Sequence, residues 1–249
     1  MWYRDLFTGR WGEFWLEEYF SDEYREYTEE EVAFLRGNLR EGLTLDLCCG
    51  PGRDSIPLSS RLEVVCFDLS RYFLSALRER ARNKCHYKSL DLIEGDMRGL
   101  PFRSESFDNV INLNTSFGYF SDEENEVVIH EVSRVLKPDG IFILDVANPG
   151  WIMRNFQERC WDESDSFYVL ERRRLDWRRK RMESRWTLID KSKGKEGEVM
   201  VDYRLYDLNE LKDMLAKAGL KTIDVFSSVK KEKFHEMMSR RIIIVSKKS

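Results

Sequence analysis

A glycine-rich turn early in the chain could bind a ligand through its backbone. It reads Asp46-Leu-Cys-Cys-Gly-Pro-Gly52 and continues a short apolar run. Glycines in such a turn let backbone N–H groups approach a ligand without interference from side chains. The dinucleotide-binding pattern G-x-G-x-x-G needs a third glycine, but Ser55 occupies that position. The carboxylate of Asp46 would repel a pyrophosphate and attract an ammonium or sulfonium group. The turn therefore favours a cationic ligand; the alternative is that Asp46 only caps the turn.

The same turn resembles motif I of the class I S-adenosyl-L-methionine (SAM)-dependent methyltransferases, usually written D/E-x-G-x-G-x-G. Asp46, Gly50 and Gly52 match the motif, and Cys48 replaces its first glycine. The resemblance implies that SAM is the cofactor and that the activity is methyl transfer. It also implies that these four residues bind the cofactor.

Two later acids lie where the same family has cofactor-binding residues. Asp68 ends the run Val-Val-Cys-Phe-Asp, 22 residues after Asp46 and close to the spacing of about 20 residues at which an acid meets a ribose. The resemblance assigns the ribose hydroxyls to Asp68, with Leu69 beside it; an ordinary helix cap is the alternative for Asp68. Asp96 and Met97 belong to Glu-Gly-Asp-Met-Arg, which resembles the family's G-D-M/A segment. There Asp96 would accept a hydrogen bond from the adenine amino group, and Met97 would pack on the ring.

Three more positions complete the predicted site. Leu113 ends the fourth apolar run, where family members line the cofactor pocket. A tyrosine in an N-terminal helix often covers the cofactor in the family, and Tyr19 is the candidate, with plain core packing as the alternative. Methyl transfer from a sulfonium is an in-line displacement that depends mainly on alignment. Tyr119 follows the fourth strand, so we predict that its hydroxyl orients the methyl acceptor; simple packing is the alternative.

The segment 151–206 resembles the insertions of small-molecule N- and O-methyltransferases. Arg204 and Tyr206 end its last predicted strand and are candidates to bind a carboxylate or hydroxyl of the acceptor, while His235 is a candidate base. The fourth motif reads Asn-Thr-Ser-Phe-Gly-Tyr and lacks the Asn-Pro-Pro-Tyr of base-methylating enzymes. We therefore predict a small-molecule acceptor that is methylated on nitrogen or oxygen. The alternatives are an RNA or tRNA methyltransferase and a SAM-binding protein without activity.

Alternating strands and helices must position these residues. Repeated strand–helix units predict a doubly wound, mostly parallel, seven-stranded sheet of the Rossmann-like α/β class, with strands at 43–47, 63–67, 90–94, 107–113, 141–146, 221–226 and 241–245. We predict a helical lid over 1–40, a methyltransferase core over 41–150 and 207–249, and a β-rich insertion over 151–206. Its antiparallel strands are predicted at 167–177, 182–190 and 199–206.

The N-terminal region is rich in aromatic residues. Trp11, Phe14, Trp15 and Tyr19 have helical spacing, which predicts an amphipathic helix. A second helix is predicted to begin at Thr28, because a glutamate three residues later completes a capping box.

Composition limits the class of protein. Hydrophobic residues make up 42% of the 249, enough for a sizeable core, and the formal net charge of −4 gives no general attraction to nucleic acid or anionic membranes. No segment approaches the ~18 apolar residues of a membrane helix, and the N-terminus has no signal-peptide core. The five cysteines form no C-x-x-C pair and the three histidines are scattered, so we expect no metal site. These features predict a soluble, cytoplasmic protein.

Overall fold

The computed structural model describes residues 1–82 and 90–249. Within these ranges the strands are β1 (Leu43–Leu47), β2 (Glu63–Asp68), β3 (Leu90–Glu94), β4 (Phe107–Asn112), β5 (Leu136–Ala147), β6 (Arg159–Glu163), β7 (Phe167–Asp176), β8 (Arg181–Asp190), β9 (Gly194–Arg204), β10 (Leu220–Phe226) and β11 (Arg241–Lys248). The helices are α1 (Trp2–Asp5), α2 (Gly9–Tyr19), α3 (Asp22–Arg36), α4 (Ser55–Leu58), α5 (Arg71–Arg82), α6 (Asp122–Val135), α7 (Pro149–Arg154) and α8 (Leu208–Lys217).

A seven-stranded sheet forms the centre of the molecule. Its strand order is β3-β2-β1-β4-β5-β11-β10. Strands β1 to β5 pair in parallel, whereas β11 runs antiparallel to both of its neighbours. The prediction of a doubly wound, mostly parallel sheet is confirmed. The strand order reverses between β1 and β4, and ligands of such sheets bind beyond the carboxyl ends of the strands at that switch point.

Helices cover both faces of this sheet, which explains why its central strands are apolar on both sides. On one face, the sheet shares a buried cluster with Ile129 of α6 and Leu215 of α8. On the other face, a second cluster includes Leu35 of α3 and Leu77 of α5. The sheet is thereby fixed on both sides, and the loops at its carboxyl ends are held by a rigid base.

A four-stranded antiparallel sheet, β6-β7-β8-β9, lies between α7 and α8 in the sequence. It confirms the predicted antiparallel insertion, with strand ends shifted by a few residues. The edge strand β6 is absent from the prediction because Arg159–Glu163 is mostly exposed and offers no alternating apolar pattern. The division of the chain into lid, core and insertion stays a prediction.

The predicted start of the second N-terminal helix is wrong. Helix α3 begins at Asp22, where the Ser21 hydroxyl accepts a hydrogen bond from the backbone N–H of Tyr24 at 3.3 Å. Thr28 lies inside the helix and donates to the carbonyl of Tyr24 at 2.6 Å. A serine cap followed by two acids in the first turn therefore sets the boundary, and Thr28 does not.

The first two helices share an apolar cluster with the insertion. Trp11 and Phe14 of α2 pack with Phe167, Val169 and Leu188 of the antiparallel sheet. Phe14 is 2% exposed and Leu188 is fully buried. The N-terminal helices are thus attached to the insertion through a common core.

None of the described helices is long and apolar enough to cross a membrane.

Candidate active site

The turn after β1 is held by backbone bonds to β2. Cys48 has a φ of 65° and its N–H donates to the carbonyl of Phe67 at 2.7 Å. A cysteine therefore adopts the left-handed conformation that glycine reaches without steric cost. Gly52 serves packing, because a Cβ at this residue would come within 2.5 Å of the Leu77 side chain of α5.

Asp68, at the end of β2, accepts hydrogen bonds from two backbone N–H groups. Its Oδ2 accepts from Gly50 at 2.8 Å and its Oδ1 accepts from Ser70 at 2.7 Å. Burial raises the pKa of Asp68 to about 6, and these backbone bonds oppose the rise. Each oxygen retains lone-pair capacity for a further donor, such as a ribose hydroxyl.

Asp46 lies beneath the turn. It is 4% exposed and accepts a hydrogen bond from the hydroxyl of Ser55 at the start of α4. Burial raises the pKa of Asp46 to about 7, and the Ser55 bond opposes the rise. Its hydrogen bond with Ser55 ties the end of β1 to the start of α4 and so stabilises the turn between them.

A first cavity opens above the turn, at the carboxyl ends of β1, β2 and β4. Eight of the predicted site residues line it: Tyr19, Cys48, Gly50, Asp68, Leu69, Asp96, Met97 and Tyr119. The charged residues among its described lining are Asp68 and Asp96, so the cavity is acidic. Asp46, Gly52 and Leu113 are outside this lining. Leu113 is 8% exposed and packs in the cluster on the α3 and α5 side of the sheet.

The N-terminal helices close this cavity. Its volume is about 80 Å³, with Tyr3, Phe7 and Tyr19 in the wall. Ligand pockets generally measure about 300–1,000 Å³. The cavity is therefore smaller than a nucleoside-sized ligand needs.

Asp96 is paired with Arg98. Its Oδ1 accepts from the Nε of Arg98 at 3.0 Å, and its Oδ2 accepts from an Nη of the same guanidinium at 2.7 Å. The Arg98 hydrogen bond, opposed by burial, lowers the pKa of Asp96. Met97 is 5% exposed, and its sulfur lies 3.5 Å from the Cys48 sulfur. The pair fixes an ionised carboxylate at the wall of the cavity, beside a polarisable apolar surface.

A second cavity, of about 300 Å³, lies between the first cavity and the antiparallel sheet. The two cavities share Phe7, Tyr19, Asn114 and Tyr119. The walls of the second cavity include indoles, a tyrosine and three guanidinium groups: Trp15, Trp151, Trp186, Tyr203, Arg173, Arg240 and Arg241. The charged residues of its described lining are these three arginines. An acidic and a basic cavity therefore meet at one set of shared side chains.

The loop after β4 separates the two cavities and is held in an unusual conformation. Asn114 and Thr115 have φ values of 56° and 62°. Their backbone N–H groups both donate to Asp145, and Arg241 pairs with both carboxylate oxygens of Asp145 at 2.5 and 2.6 Å. A positive φ at a β-branched residue is costly and persists only when its surroundings enforce it. The Asp145–Arg241 pair supplies that constraint.

Tyr119 stands at the junction of the two cavities. Its ring contacts Trp2, with a centroid distance of 4.7 Å. Burial raises the pKa of Tyr119 well above its ordinary value. Burial also raises the pKa of Tyr203 to about 12. Both hydroxyls are therefore neutral at physiological pH and can donate or accept hydrogen bonds without acting as bases.

The structure does not bring Arg204, Tyr206 or His235 into the second cavity. Arg204 pairs with Glu210 at 2.6 Å, and Tyr206 donates to Asp122 at 2.8 Å. Arg204 joins the end of β9 to α6 and α8, and Tyr206 bonds α6 alone. That they bind the acceptor stays a prediction. His235 is exposed and outside the described lining of both cavities.

The basic residues of the second cavity are not identifiable from local sequence patterns. Arg173 lies on β7, whereas Arg240 and Arg241 lie more than sixty residues later, at the start of β11. Only the pairing of β11 with β5 brings Arg241 opposite Ala147 and close to the loop after β4. In the described chain, no group of three or more His, Cys, Asp or Glu side chains has a metal-binding arrangement.

Comparisons with known proteins agree with this geometry. A profile of the methyltransferase-domain family matches residues 44–140. A demethylmenaquinone methyltransferase from Lactobacillus johnsonii is 34% identical over 110 residues, which cover 42% of this chain and 44% of that enzyme. The protein MJ1252 from Methanocaldococcus jannaschii is 27% identical over 84% of this chain and 73% of its own length. The CcbJ methyltransferase from Streptomyces caelestis has a similar fold, with a TM-score of 0.80 at 19% identity over 89% of each chain.

Proposed function

Since this chain belongs to the class I SAM-dependent methyltransferases, we propose that it methylates a nitrogen or oxygen atom of a small molecule. The acceptor binds in the second cavity, beneath the antiparallel sheet. One observation carries the proposal: the cavity built from motif I meets a second cavity at Tyr19, Asn114, Tyr119 and Phe7. A donor and an acceptor in adjoining cavities are held for in-line transfer.

The residues of the first cavity fit SAM. Its two lining carboxylates suit a ligand with sulfonium and ammonium groups. We assign the ribose hydroxyls to Asp68 and the adenine to Asp96 and Met97. Cys48, Gly50 and Leu69 border the cofactor, and Tyr19 covers it. Bound SAM supplies an activated methyl group. The acceptor's lone pair forms the new bond to the methyl carbon, and the sulfur retains the electron pair of the broken S–C bond.

Three predicted cofactor residues act indirectly in this proposal. Asp46 anchors the turn through Ser55, Gly52 allows the turn to pack on α5, and Leu113 packs beneath the end of β4. Their spacing in the motif is thus explained by the support that they give to the residues above them.

Tyr119 and Asn114 orient the acceptor, because both reach each cavity. The described lining of the second cavity contains no His, Asp or Glu side chain. An acceptor atom that reacts without losing a proton to a lining base, such as a neutral amine or an already deprotonated oxygen, fits this lining. A neutral Tyr119 hydroxyl can hold such an atom in line by a hydrogen bond.

The size of the second cavity supports a small acceptor, since about 300 Å³ is at the lower end of ligand pockets. The curated relative named above acts, by its name, on demethylmenaquinone, which is also a small molecule. A cytoplasmic location is part of the proposal. The four described cysteines are free thiols, as is usual in a reducing compartment.

The test is incubation of the protein with a metabolite extract and SAM that carries a trideuterated methyl group, followed by mass spectrometry. We expect at least one small molecule to gain the labelled methyl group, and the Asp68→Ala variant to transfer far less. Label in RNA alone would support the nucleic-acid alternative. Tight SAM binding without label in any fraction would support a SAM-binding protein without activity.

A further inference from the structure

We propose that the second cavity selects an acceptor with an anionic oxygen group attached to an apolar or aromatic body. The inference rests on the proposed function and narrows its substrate class. It arises from the opposite charges of the two adjoining cavities. The charged residues in the described lining are carboxylates in the first cavity and guanidinium groups in the second.

The guanidinium group of Arg240 is available to a ligand. Among the described residues, none places a carboxylate within salt-bridge distance of it, and its nearest aromatic contact is the ring of Trp151, with a centroid 5.6 Å away. Arg240 is also exposed. A guanidinium offers several N–H donors in a planar fork that matches a carboxylate or phosphate.

The other two arginines retain donors that their ion pairs do not use. Arg173 donates to Glu171 through Nε at 2.7 Å, and no described residue accepts from its two Nη groups. Arg241 uses Nε and one Nη for Asp145 and Thr115, and no described residue accepts from its other Nη. The carboxylates that pair with these arginines lie outside the described lining of the cavity. The cavity wall therefore presents unused guanidinium donors, and Arg240 adds a positive charge that no ion pair among the described residues offsets.

Indole rings supply the apolar part of the wall. Trp15 and Trp186 lie side by side with centroids 5.8 Å apart and planes tilted by 37°. Their Nε1–H groups are buried, and no described residue accepts a hydrogen bond from either. Flat apolar walls with unpaired donors suit a ligand with an apolar body and oxygen acceptors. The positive charge also favours a deprotonated acceptor atom, which agrees with the lack of a base in the described lining.

The experiment uses matched fragments that differ only in charge. Benzyl, phenylpropyl and naphthylmethyl compounds, each as carboxylate, carboxamide and amine, are titrated against the protein by calorimetry. The titrations are done with and without saturating S-adenosylhomocysteine (SAH). We expect at least one carboxylate to bind at least 10-fold more tightly than its carboxamide, and the amines to bind most weakly. Equal affinities across each set, or no carboxylate binding at all, would overturn the inference.

The variant Arg240→Gln tests the position of the anionic group. Its exposed side chain has no ion pair in the described structure, so folding should be unaffected. We expect it to lower carboxylate affinity at least 5-fold and to leave carboxamide affinity unchanged, with partial recovery in Arg240→Lys. Arg172→Gln is the control, since Arg172 is exposed on β7 and lies outside the described lining of the cavity. An equal loss in the control would contradict the assignment.

The cofactor assignment and the anionic acceptor are refuted by different results. Absence of SAH binding would refute the cofactor assignment, while the titrations without SAH would still decide whether the second cavity prefers anions. SAH binding together with no preference for carboxylates would leave methyl transfer intact and refute the anionic acceptor.

Discussion

The carboxylate of Asp68 accepts a hydrogen bond from the backbone N–H of Gly50, with 2.8 Å between Oδ2 and N. The acid at the end of β2 therefore fixes the glycine turn at the end of β1. One side chain both shapes the loop and presents oxygens to the cavity above it. The spacing of the two motifs in the sequence thus reflects a direct contact between them.

The raised pKa of Asp68 predicts opposite effects of pH on SAM binding and on stability. Burial raises its pKa from 3.8 to about 6. The ionised form accepts the ribose hydroxyls more strongly, so SAM affinity should fall as the pH drops below about 6. The folded state binds more protons than the unfolded state between the two pKa values, so this group makes the protein less stable as pH rises across that interval.

Calorimetric titration of SAM between pH 5 and 8 measures the first effect, and urea unfolding over the same range measures the second. Asp68→Asn should flatten the pH dependence of affinity. The same substitution should reduce, without abolishing, the decrease in the free energy of unfolding as pH rises, because burial also raises the pKa values of Asp46 and Asp54. An unchanged affinity profile in this variant would show that another group titrates.

Phe14→Ala should destabilise the insertion more than the central sheet. Phe14 is buried in the cluster that α2 shares with β7, β8 and β9. Phe-to-Ala changes in a core cost about 3–5 kcal/mol. We expect amide hydrogen exchange to quicken in 167–201 and to remain slow in β4 and β5.

Phe34→Ala is the matched control, since Phe34 is 4% exposed in the cluster beneath the central sheet. It should quicken exchange in the central sheet. The same exchange pattern in both variants would mean that the molecule opens as one unit.

Arg204→Ala should reduce stability and leave SAM binding intact. Arg204 is 8% exposed and pairs with Asp122 at 3.1 Å and Glu210 at 2.6 Å. Its removal leaves two partly exposed acids less well compensated, and we expect a loss of about 1–2 kcal/mol in the free energy of unfolding. The dissociation constant of SAM should change less than about twofold, a span of roughly 0.4 kcal/mol. A large loss of acceptor binding by a stably folded variant would assign Arg204 to the acceptor site.

Tyr119→Phe should slow methyl transfer without weakening SAM binding. The substitution removes a hydroxyl and keeps the ring that contacts Trp2. A neutral hydrogen bond contributes about 0.5–1.5 kcal/mol, which corresponds to a rate loss of about 2- to 10-fold. Single-turnover kinetics with the acceptor identified by labelling would measure it. A full rate in Tyr119→Phe would assign Tyr119 to packing alone.

The lining of the first cavity was largely predictable from the sequence because its residues follow strands in chain order. The strand ends at Asp46, Asp68 and Glu94 meet at one edge of a parallel sheet, so a linear pattern encodes a spatial cluster. The sequence pattern could not show how deeply each side chain is buried. Asp46 and Leu113 match the expected positions, yet both are buried and outside the described lining of the first cavity.

The lining of the second cavity was not predictable in the same way. Arg173 lies on β7 and Arg240 directly precedes β11, so their proximity depends on how the insertion packs over the central sheet. Arg204 had the residue type expected of an acceptor-binding group, but its side chain is held by Glu210 and Asp122. Side-chain direction at a strand end is set by tertiary contacts that no local pattern contains.

The most direct test of the cofactor site is calorimetric titration of SAM and SAH against the parent protein and Asp68→Ala. Two ribose hydroxyls would donate to this carboxylate, and a hydrogen bond to a charged group contributes about 1.5–3 kcal/mol. We predict that both ligands bind about 10- to 150-fold more weakly to the variant, since both carry the ribose. If Asp68→Ala binds SAM and SAH as tightly as the parent protein, the cofactor does not lie where this account places it.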